Sequence, residues 1–539
     1  MPGYETPTQE VESEVSEPSE TLQNPRSPVV FRLWSNGQAL VRKIDSKIPF
    51  SVTLQTFAFI AVMTWFALFA PLRTSSINDL DLGWHLRSGE WIVQHHELPK
   101  TDPFSITGGT APWVAYSWPF SVMIYEFAKN FDFQGIAAYS TLIWFGTILL
   151  FFMLVRGQGA SFWRALGLTF IAGNIFPRVI SPRPGTITIL LFLLSFHVLL
   201  KERQKGYSRI TWVLPVIIWA WSNIHVQFVY GLFILGLFCV EPILDWLFLK
   251  GSQPQKWSPR LWSVLAVSVA STLLNPYGFG PYQVILDFIH QPLLAGFVVE
   301  TSAMPFTIHI HYMVLLLSLA AAYGLAHRKP IRPLWVVLLI WATCSAFRME
   351  RDIWLVTTIA AALLATPSSL KEPREQISNR VWIYGTVGIL IAVLLSIKVL
   401  PSNKYMAGLL AIELPVGAVA YVHEHHLSGP LFNDYDWGGF LIYALPEIPV
   451  AMDGRTNVHG QDEVGRSINT WMLRPGWNYD PLLVNANLVI GTPRKALTNY
   501  LRHDQHFKVA FDDGVAVVFQ RVKPGRPGSD DAAAATKKP

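Results

Sequence analysis

The chain has 539 residues, 51% of them hydrophobic and 15% charged, with a mean hydropathy of +0.32, a balance that excludes an ordinary soluble protein. Its net charge of +5 does not mark a nucleic-acid partner, because the basic residues stand at the ends of apolar runs and not in one patch. Cys239 and Cys344 are the only cysteines and both lie in apolar stretches, which argues against a disulfide framework or a thiolate zinc site.

The opening 27 residues are polar, acidic and rich in Pro and Ser, so residues 1–47 are expected to form a disordered cytoplasmic tail without a cleavable signal. Apolar runs suited to crossing about 30 Å of hydrocarbon then follow. They fall at Phe50 to Leu72, Gln134 to Val155, Phe162 to Ile180, Thr186 to Leu200, Trp212 to Ile224 and Phe228 to Leu249. The series continues at Leu261 to Leu274, His311 to Ala326, Leu334 to Phe347, Ile353 to Leu364 and Val381 to Leu400. These eleven candidate spans predict an α-helical polytopic membrane domain over residues 48–400. With the tail inside, basic clusters such as Arg156/Arg164, Lys201/Arg203/Lys205, Lys256/Arg260 and Arg328/Lys329/Arg332 fall on inner loops, as the positive-inside rule requires.

The first outer loop, residues 73–133, contains Asp79-Leu80-Asp81-Leu82-Gly83-Trp84-His85-Leu86-Arg87-Ser88-Gly89-Glu90-Trp91-Ile92-Val93. Leu80, Trp84, Arg87 and Trp91 recur at helical spacing, which predicts an amphipathic helix on the membrane surface with its indoles at headgroup level. Asp79 and Asp81 stand at its N-terminus, where a carboxylate either caps backbone N–H groups or is presented for chemistry. Thr101 to Ser105 reads as a turn with Asp102 as its cap. Trp113, Tyr116 and Trp118 read as interfacial anchors that can also stack on a sugar ring.

Arg178, Arg183, Arg348 and Arg351 fall on the outer side, where a guanidinium either forks onto phosphate oxygens or snorkels from a span end. Asn223, His225 and Gln227 fill a very short outer hairpin and need hydrogen-bond partners there, from the turn itself or from a reacting hydroxyl or phosphate near His225. Glu300 is a third outer acid.

From residue 401 to 522 the composition becomes that of a small extracytoplasmic α/β unit, followed by a disordered tail over 523–539. Its predicted strands are Leu431 to Asn433, Val450 to Met452 and Leu488 to Ile490. A helix over Pro493 to His503 capped by Thr492 follows, then a hairpin turned at Asp513-Gly514. Phe432 to Gly439 and Asp453-Gly454-Arg455 lie at strand ends, where α/β sheets place ligands. Trp437 is therefore a candidate for stacking on a sugar, and Asp436, Asp453 and Arg455 for its hydroxyls, with turn formation as the alternative.

The acidic first loop running into its helix, the many spans and the soluble segment after the last one resemble the membrane-integral glycosyltransferases of the GT-C type. Asp79 to Ile92 followed by Thr101 to Ser105 is similar, more closely, to uncharacterised bacterial members of that type, over about residues 50 to 520. The resemblance implies inverting transfer of a sugar from a polyprenyl-phosphate donor to a lipid, glycan or protein acceptor outside the cytoplasmic membrane, with Asp79 or Asp81 as general base. It implies no certain cofactor, although some such enzymes use a divalent metal, for which Asp79, Asp81 and His85 are the ligands to consider. Two other readings remain: a multi-span transporter or flippase, with ionisable groups deep in broken helices, and a non-enzymatic membrane assembly protein.

Overall fold

A computed structural model of the chain describes residues 50–69, 79–110, 112–206, 209–249, 255–291, 302–366 and 378–528. The tail 1–47, Arg73, Glu300 and residues 529–539 lie outside this set. Contacts divide the chain into two compact units, Met1–Gln55 and Thr56–Pro539; of the first, only residues 50–55 are described.

Each predicted apolar run coincides with a helix. In chain order the helices are α1 (Phe50–Phe69), α2 (Leu82–His95), α3 (Trp118–Gly157), α4 (Phe162–Ile175), α5 (Pro184–Lys205), α6 (Leu214–Ser222) and α7 (Phe228–Phe248). They continue with α8 (Pro259–Thr272), α9 (Gly280–Ile289), α10 (His309–Ala326), α11 (Pro333–Arg348), α12 (Ile353–Ala365) and α13 (Asn379–Lys398). Several open on a proline, Pro184, Pro259 and Pro333 among them, where a missing N–H removes no intrahelical bond. Five of the helices, α3, α5, α7, α10 and α13, are long and apolar enough to cross a bilayer, and the chain is a multi-pass membrane protein.

Polar contacts sort the connections into two groups. One gathers the loop before α3 with the α4–α5, α6–α7, α8–α10 and α11–α12 connections. There Trp118 Nε1 donates to Asn223 Oδ1 at 3.3 Å, Asn275 Nδ2 to the Ser222 carbonyl at 3.2 Å, and Tyr277 Oη to the Pro99 carbonyl at 3.0 Å. The other joins the α3–α4, α5–α6 and α7–α8 connections and the starts of α11 and the end of α12. It is held by Gln204 Nε2 to the Gly157 carbonyl (3.2 Å), Arg203 to Glu241 (2.8 Å), Arg332 to Asp245 (2.6 Å) and Arg328 Nη2 to the Thr366 carbonyl (2.7 Å). Successive apolar helices therefore run in alternating directions, and the residues with chemical potential collect at the first group, the loop end.

The sequence places a single span at Gln134 to Val155, and α3 supplies it only after a break at Asp132 (φ 56°, ψ −143°). The stretch before the break packs on α2 instead. That packing alters the reading of α2, whose buried face is Leu82, Gly83, His85, Leu86, Ser88 and Gly89, while Leu80 is exposed and Trp84 and Trp91 are half-buried. The helix is held between α3 and a later helix by its two smallest residues. A Cβ on Gly89 would stand 2.1 Å from the Ser121 carbonyl oxygen, and one on Gly83 2.2 Å from the Gly439 carbonyl oxygen. Gly83→Ala is accordingly expected to cost about 1–3 kcal/mol through overpacking, read as a lowered unfolding midpoint in detergent.

After α13 come α14 (Asn403–Leu410), α15 (Val416–Glu424), β1 (Leu431–Asn433), α16 (Gly438–Ala444), α17 (Thr456–Trp471), β2 (Leu488–Gly491), a short helix Ala496–Leu501, β3 (Phe507–Asp512) and β4 (Val517–Arg521). The strands form one sheet in the order β1-β2-β4-β3, with β1 and β2 parallel (Leu431 opposite Leu488) and the other pairs antiparallel. Alternation along the strands divides its two faces. Leu431, Leu488, Ile490 and Val518 join a core with Leu82, Leu86, Phe104, Trp113 and Leu441, whereas Phe432, Val489, Val517 and Phe519 pack with Trp471, Leu497 and Leu501.

Two expectations are corrected here. Val450 to Met452 is not a strand of the sheet: Val450 bridges to Ser105 of the first loop, and the Ala451 N–H is taken by Asn433 Oδ1 at 2.8 Å. The helix expected from Pro493 begins at Ala496, with Lys495 and not Thr492 at its N-cap.

Candidate functional site

Asp81 occupies the N-cap position of α2, yet its side chain accepts no helix N–H. Asp79 Oδ1 instead accepts the Asp81 N–H at 2.9 Å, and Asp81 Oδ1 accepts Trp84 Nε1–H at 3.1 Å. The remaining oxygens turn to Arg183: its Nε donates to Asp79 Oδ2, and its Nη2 lies 3.5 Å from Asp81 Oδ2. Arg183 is aimed there by its setting between two prolines, extended (φ −124°, ψ 159°) just before α5 begins. One guanidinium thus relieves the repulsion between two carboxylates. The Asp79 side chain is 4% exposed and that of Asp81 25%, so Asp81 is the one presented.

His85 does not join them. It is buried, shares a hydrogen bond between Nδ1 and Ser121 Oγ at 2.9 Å, stacks on Trp84 and meets the edge of Phe120. Burial, reinforced by the nearby Arg183, holds its pKa well below the ordinary histidine range, so the ring is neutral. Among the described residues no three His, Cys, Asp or Glu side chains converge as metal ligands, and the cation facing Asp79 and Asp81 is Arg183. The donor set does not fit a divalent ion held by Asp79, Asp81 and His85.

The other arginines have different fates. Arg178 is spoken for by Glu350, at 2.6 Å, and His311 Nε2 reaches the same carboxylate at 3.1 Å. Arg348 is exposed in the last turn of α11. Arg351 has no hydrogen bond or ion pair among the described residues; its Nε is buried without a partner, and its guanidinium lies 5.7 Å from the centre of the Phe288 ring. Asp352 does not neutralise it by contact, because Gln227 Nε2 donates to one Asp352 oxygen (2.9 Å) and Tyr230 Oη to the other (2.6 Å).

Around Arg351 the hairpin residues are largely satisfied. Asn223 accepts from Trp118 and donates through Nδ2 to the Trp219 carbonyl at 2.9 Å, which is the turn-holding role. His225 Nδ1 pairs with Thr188 Oγ1 at 2.9 Å, and burial together with Arg351 lowers its pKa to about 3, leaving it uncharged. Tyr116 lines a cleft with Trp84, Trp113 and Asn457. Burial pushes its phenol up, and the two charges acting on it are Arg351 and Asp81.

The strand-end residues of the C-terminal segment turn inward. Trp437 is buried in the core and donates through Nε1 to the Glu413 carbonyl at 3.1 Å, so its ring is packing and not a platform. Arg455, fully buried, donates to both Asp453 oxygens (2.8 and 2.7 Å) and to Asp102 Oδ1 (2.6 Å), with its guanidinium 4.9 Å from the Trp113 ring centre. Asp102 is the turn residue expected, accepting the Phe104 N–H at 3.0 Å, and in addition it anchors Arg455. The turn between Asp453 and Arg455 rests on the acidic pair: a Cβ on Gly454 would lie 2.2 Å from Asp81 Oδ1.

His459 completes this cluster, its Nε2 2.9 Å from Asp453 Oδ2. Burial alone would lower its pKa, but Asp453 outweighs that and carries it to about 9. A folded-state value above the unfolded one stabilises the fold fully below about pH 6.5 and loses that contribution as pH rises through about 9. Stability is expected to fall by up to about 3 kcal/mol across that window, and His459→Gln to flatten the dependence of the unfolding midpoint on pH.

Sequence reasoning singled out the acidic pair, Arg351 and, as an anchor able to stack on a sugar, Tyr116, but named none of Glu350, His311, Tyr230 and His459. The run Glu350-Arg351-Asp352 between two apolar stretches was the available cue; the partner of Glu350 lies 172 residues away.

No family model and no curated protein matches the chain. Among solved structures it is similar to the Archaeoglobus fulgidus oligosaccharyltransferase in its apo form, with a TM-score of 0.47 and 11% identity over 81% of this chain and 69% of that one. It is similar to the arabinofuranosyltransferase AftD from Mycobacteria (TM-score 0.38, 14% identity, 86% of this chain and 40% of that one). ArnT from Cupriavidus metallidurans bound to undecaprenyl phosphate gives a TM-score of 0.42 and 15% identity over 87% of this chain and 98% of that one.

Proposed function

We propose that the chain is an inverting membrane glycosyltransferase of the GT-C type, moving a sugar from a polyprenyl-phosphate donor to an acceptor hydroxyl, with Asp81 as general base. The observation that supports this reading is a carboxylate pair with Asp81 presented, on the same loop end as Arg351, which has no ion pair among the described residues. A single displacement at an anomeric carbon needs both. The acceptor O–H gives its proton to Asp81, its oxygen bonds to the anomeric carbon, and the bond to phosphate breaks with its electron pair going to the phosphate oxygen. Arg351 stabilises the charge that develops there. Asp79 and Arg183 orient Asp81.

In this reading the loop end faces outside the cytoplasmic membrane, the N-terminus lies inside, and α1, α3 to α8 and α10 to α13 make eleven crossings. Residues 401–522 then work outside beside the first loop, and the acceptor is a lipid, glycan or protein. A transporter would carry ionisable groups in mid-helix. Here the charged pairs collect toward the two ends, Arg203 with Glu241 and Arg332 with Asp245 at one, Arg183 with Asp79 at the other.

The test is release of polyprenyl phosphate by the purified protein from polyprenyl-phosphate mannose, glucose and arabinose with membrane-extract acceptors. Arg351→Gln is expected to weaken donor affinity about 10- to 100-fold, as loss of hydrogen bonds to a charged group does. Absence of turnover by the wild type with every donor would remove the proposal.

A further inference from the structure

Tyr435 lies between the two functional halves and comes from neither the first loop nor the spans. It stands just after β1, half-buried, and packs against the buried pair Met452 and Val464, as Phe288 and Ile468 also do. Phe288 is the same ring over which Arg351 sits. On its other side the segment is pressed onto the acidic motif: a Cβ on Gly439 would stand 2.3 Å from the Leu80 carbonyl oxygen, and one on Gly454 2.2 Å from Asp81 Oδ1. Burial, with the nearby charges of Asp81, Asp453 and Asp436, pushes the ionisation of the Tyr435 phenol up against the opposing pull of Arg183 and keeps it an O–H donor. That hydroxyl has no hydrogen-bond partner among the described residues, whereas the half-buried Tyr230 and Tyr277 both have one.

A group bound between a base at Asp81 and a leaving phosphate at Arg351 is the transferred sugar itself. We propose that Tyr435 is a substrate-binding residue contributed by the C-terminal segment, donating its hydroxyl to a ring hydroxyl of the donor sugar and so helping to select that sugar. This rests on the glycosyltransferase reading above. It gives the C-terminal segment a direct part in recognition: the wall facing Asp81 is built from Tyr435 and Gly454, and the first loop alone does not close it.

The test uses the full chain in detergent and two ligands, undecaprenyl phosphate and the same lipid carrying mannose, glucose or arabinose, with affinity read by quenching of intrinsic tryptophan fluorescence. Tyr435→Phe keeps the ring that packs against Met452 and Val464 and removes only the oxygen. It is expected to weaken the sugar-bearing lipid that the wild type binds best by about 3- to 10-fold, the worth of one neutral hydrogen bond, with no change for undecaprenyl phosphate and none in unfolding midpoint. Equal affinity of Tyr435→Phe and wild type for the sugar-bearing lipid overturns the assignment and leaves the glycosyltransferase reading standing. An equal loss on both lipids overturns it too, placing the hydroxyl at the phosphate. If the wild type binds neither lipid, the glycosyltransferase reading falls and this assignment falls with it.

Discussion

Asp81→Asn is expected to lower kcat for sugar transfer by about 10²- to 10⁴-fold, the range supplied by a positioned general base, while leaving donor KM and the unfolding midpoint near wild type. The expectation follows from geometry. The amide is isosteric and can keep the bond from Trp84 Nε1, while it loses the capacity to take a proton and the charge facing Arg183, which keeps its bond to Asp79. Asp79→Asn should behave differently, because Asp79 is the enclosed partner of Arg183 and the acceptor of the Asp81 N–H. Its loss should reduce stability as well as turnover, by about 1–3 kcal/mol for a buried group left with a poorer partner. Turnover and thermal midpoints of both variants, measured side by side, separate the base from its support. An Asp81→Asn protein retaining more than about a tenth of wild-type kcat would end the assignment of Asp81 as base.

The largest structural effect belongs to Arg455. Arg455→Leu leaves Asp102 and Asp453 buried at 0% exposure without their shared cation, and breaking a buried pair from one side costs about 3–5 kcal/mol. Arg455→Lys is expected to fail nearly as badly, since an ammonium cannot reproduce a planar fork donating to both oxygens of Asp453 and one of Asp102. The readout is limited proteolysis between residues 401 and 522 together with the unfolding midpoint. Native-like resistance in Arg455→Leu would show that the first loop and the C-terminal segment are held by their apolar core alone.

The helices of the predicted spans were legible because each is a contiguous apolar run, and Leu431 to Asn433 because a short apolar and aromatic stretch follows Pro430. The acidic pair was legible because two carboxylates beside a span have no bland use for both. What stayed hidden was pairing across distance. Asp102 announced a turn and forms one, but its bond to Arg455 spans 353 residues, and no local pattern encodes that. The strand-end rule directed Asp453 and Arg455 toward a ligand, whereas the fold directs them at each other. The glycines beside them carried the better signal, since Gly83 and Gly439 mark places where one backbone must approach another and Gly454 a place where a carboxylate side chain packs on the backbone.

The span between Asp102 and Arg455 also sets an order in time. The first loop is made early in synthesis, but the buried carboxylate of Asp102 waits for a partner 353 residues later, a gap of roughly 20 to 70 seconds at ordinary translation rates. Until the ribosome has passed Gly454, the wall against Asp81 does not exist. A chain stalled or truncated within its helices would therefore carry Asp79 and Asp81 without the Gly454 turn that packs against Asp81, and would leave Asp102 without its cation.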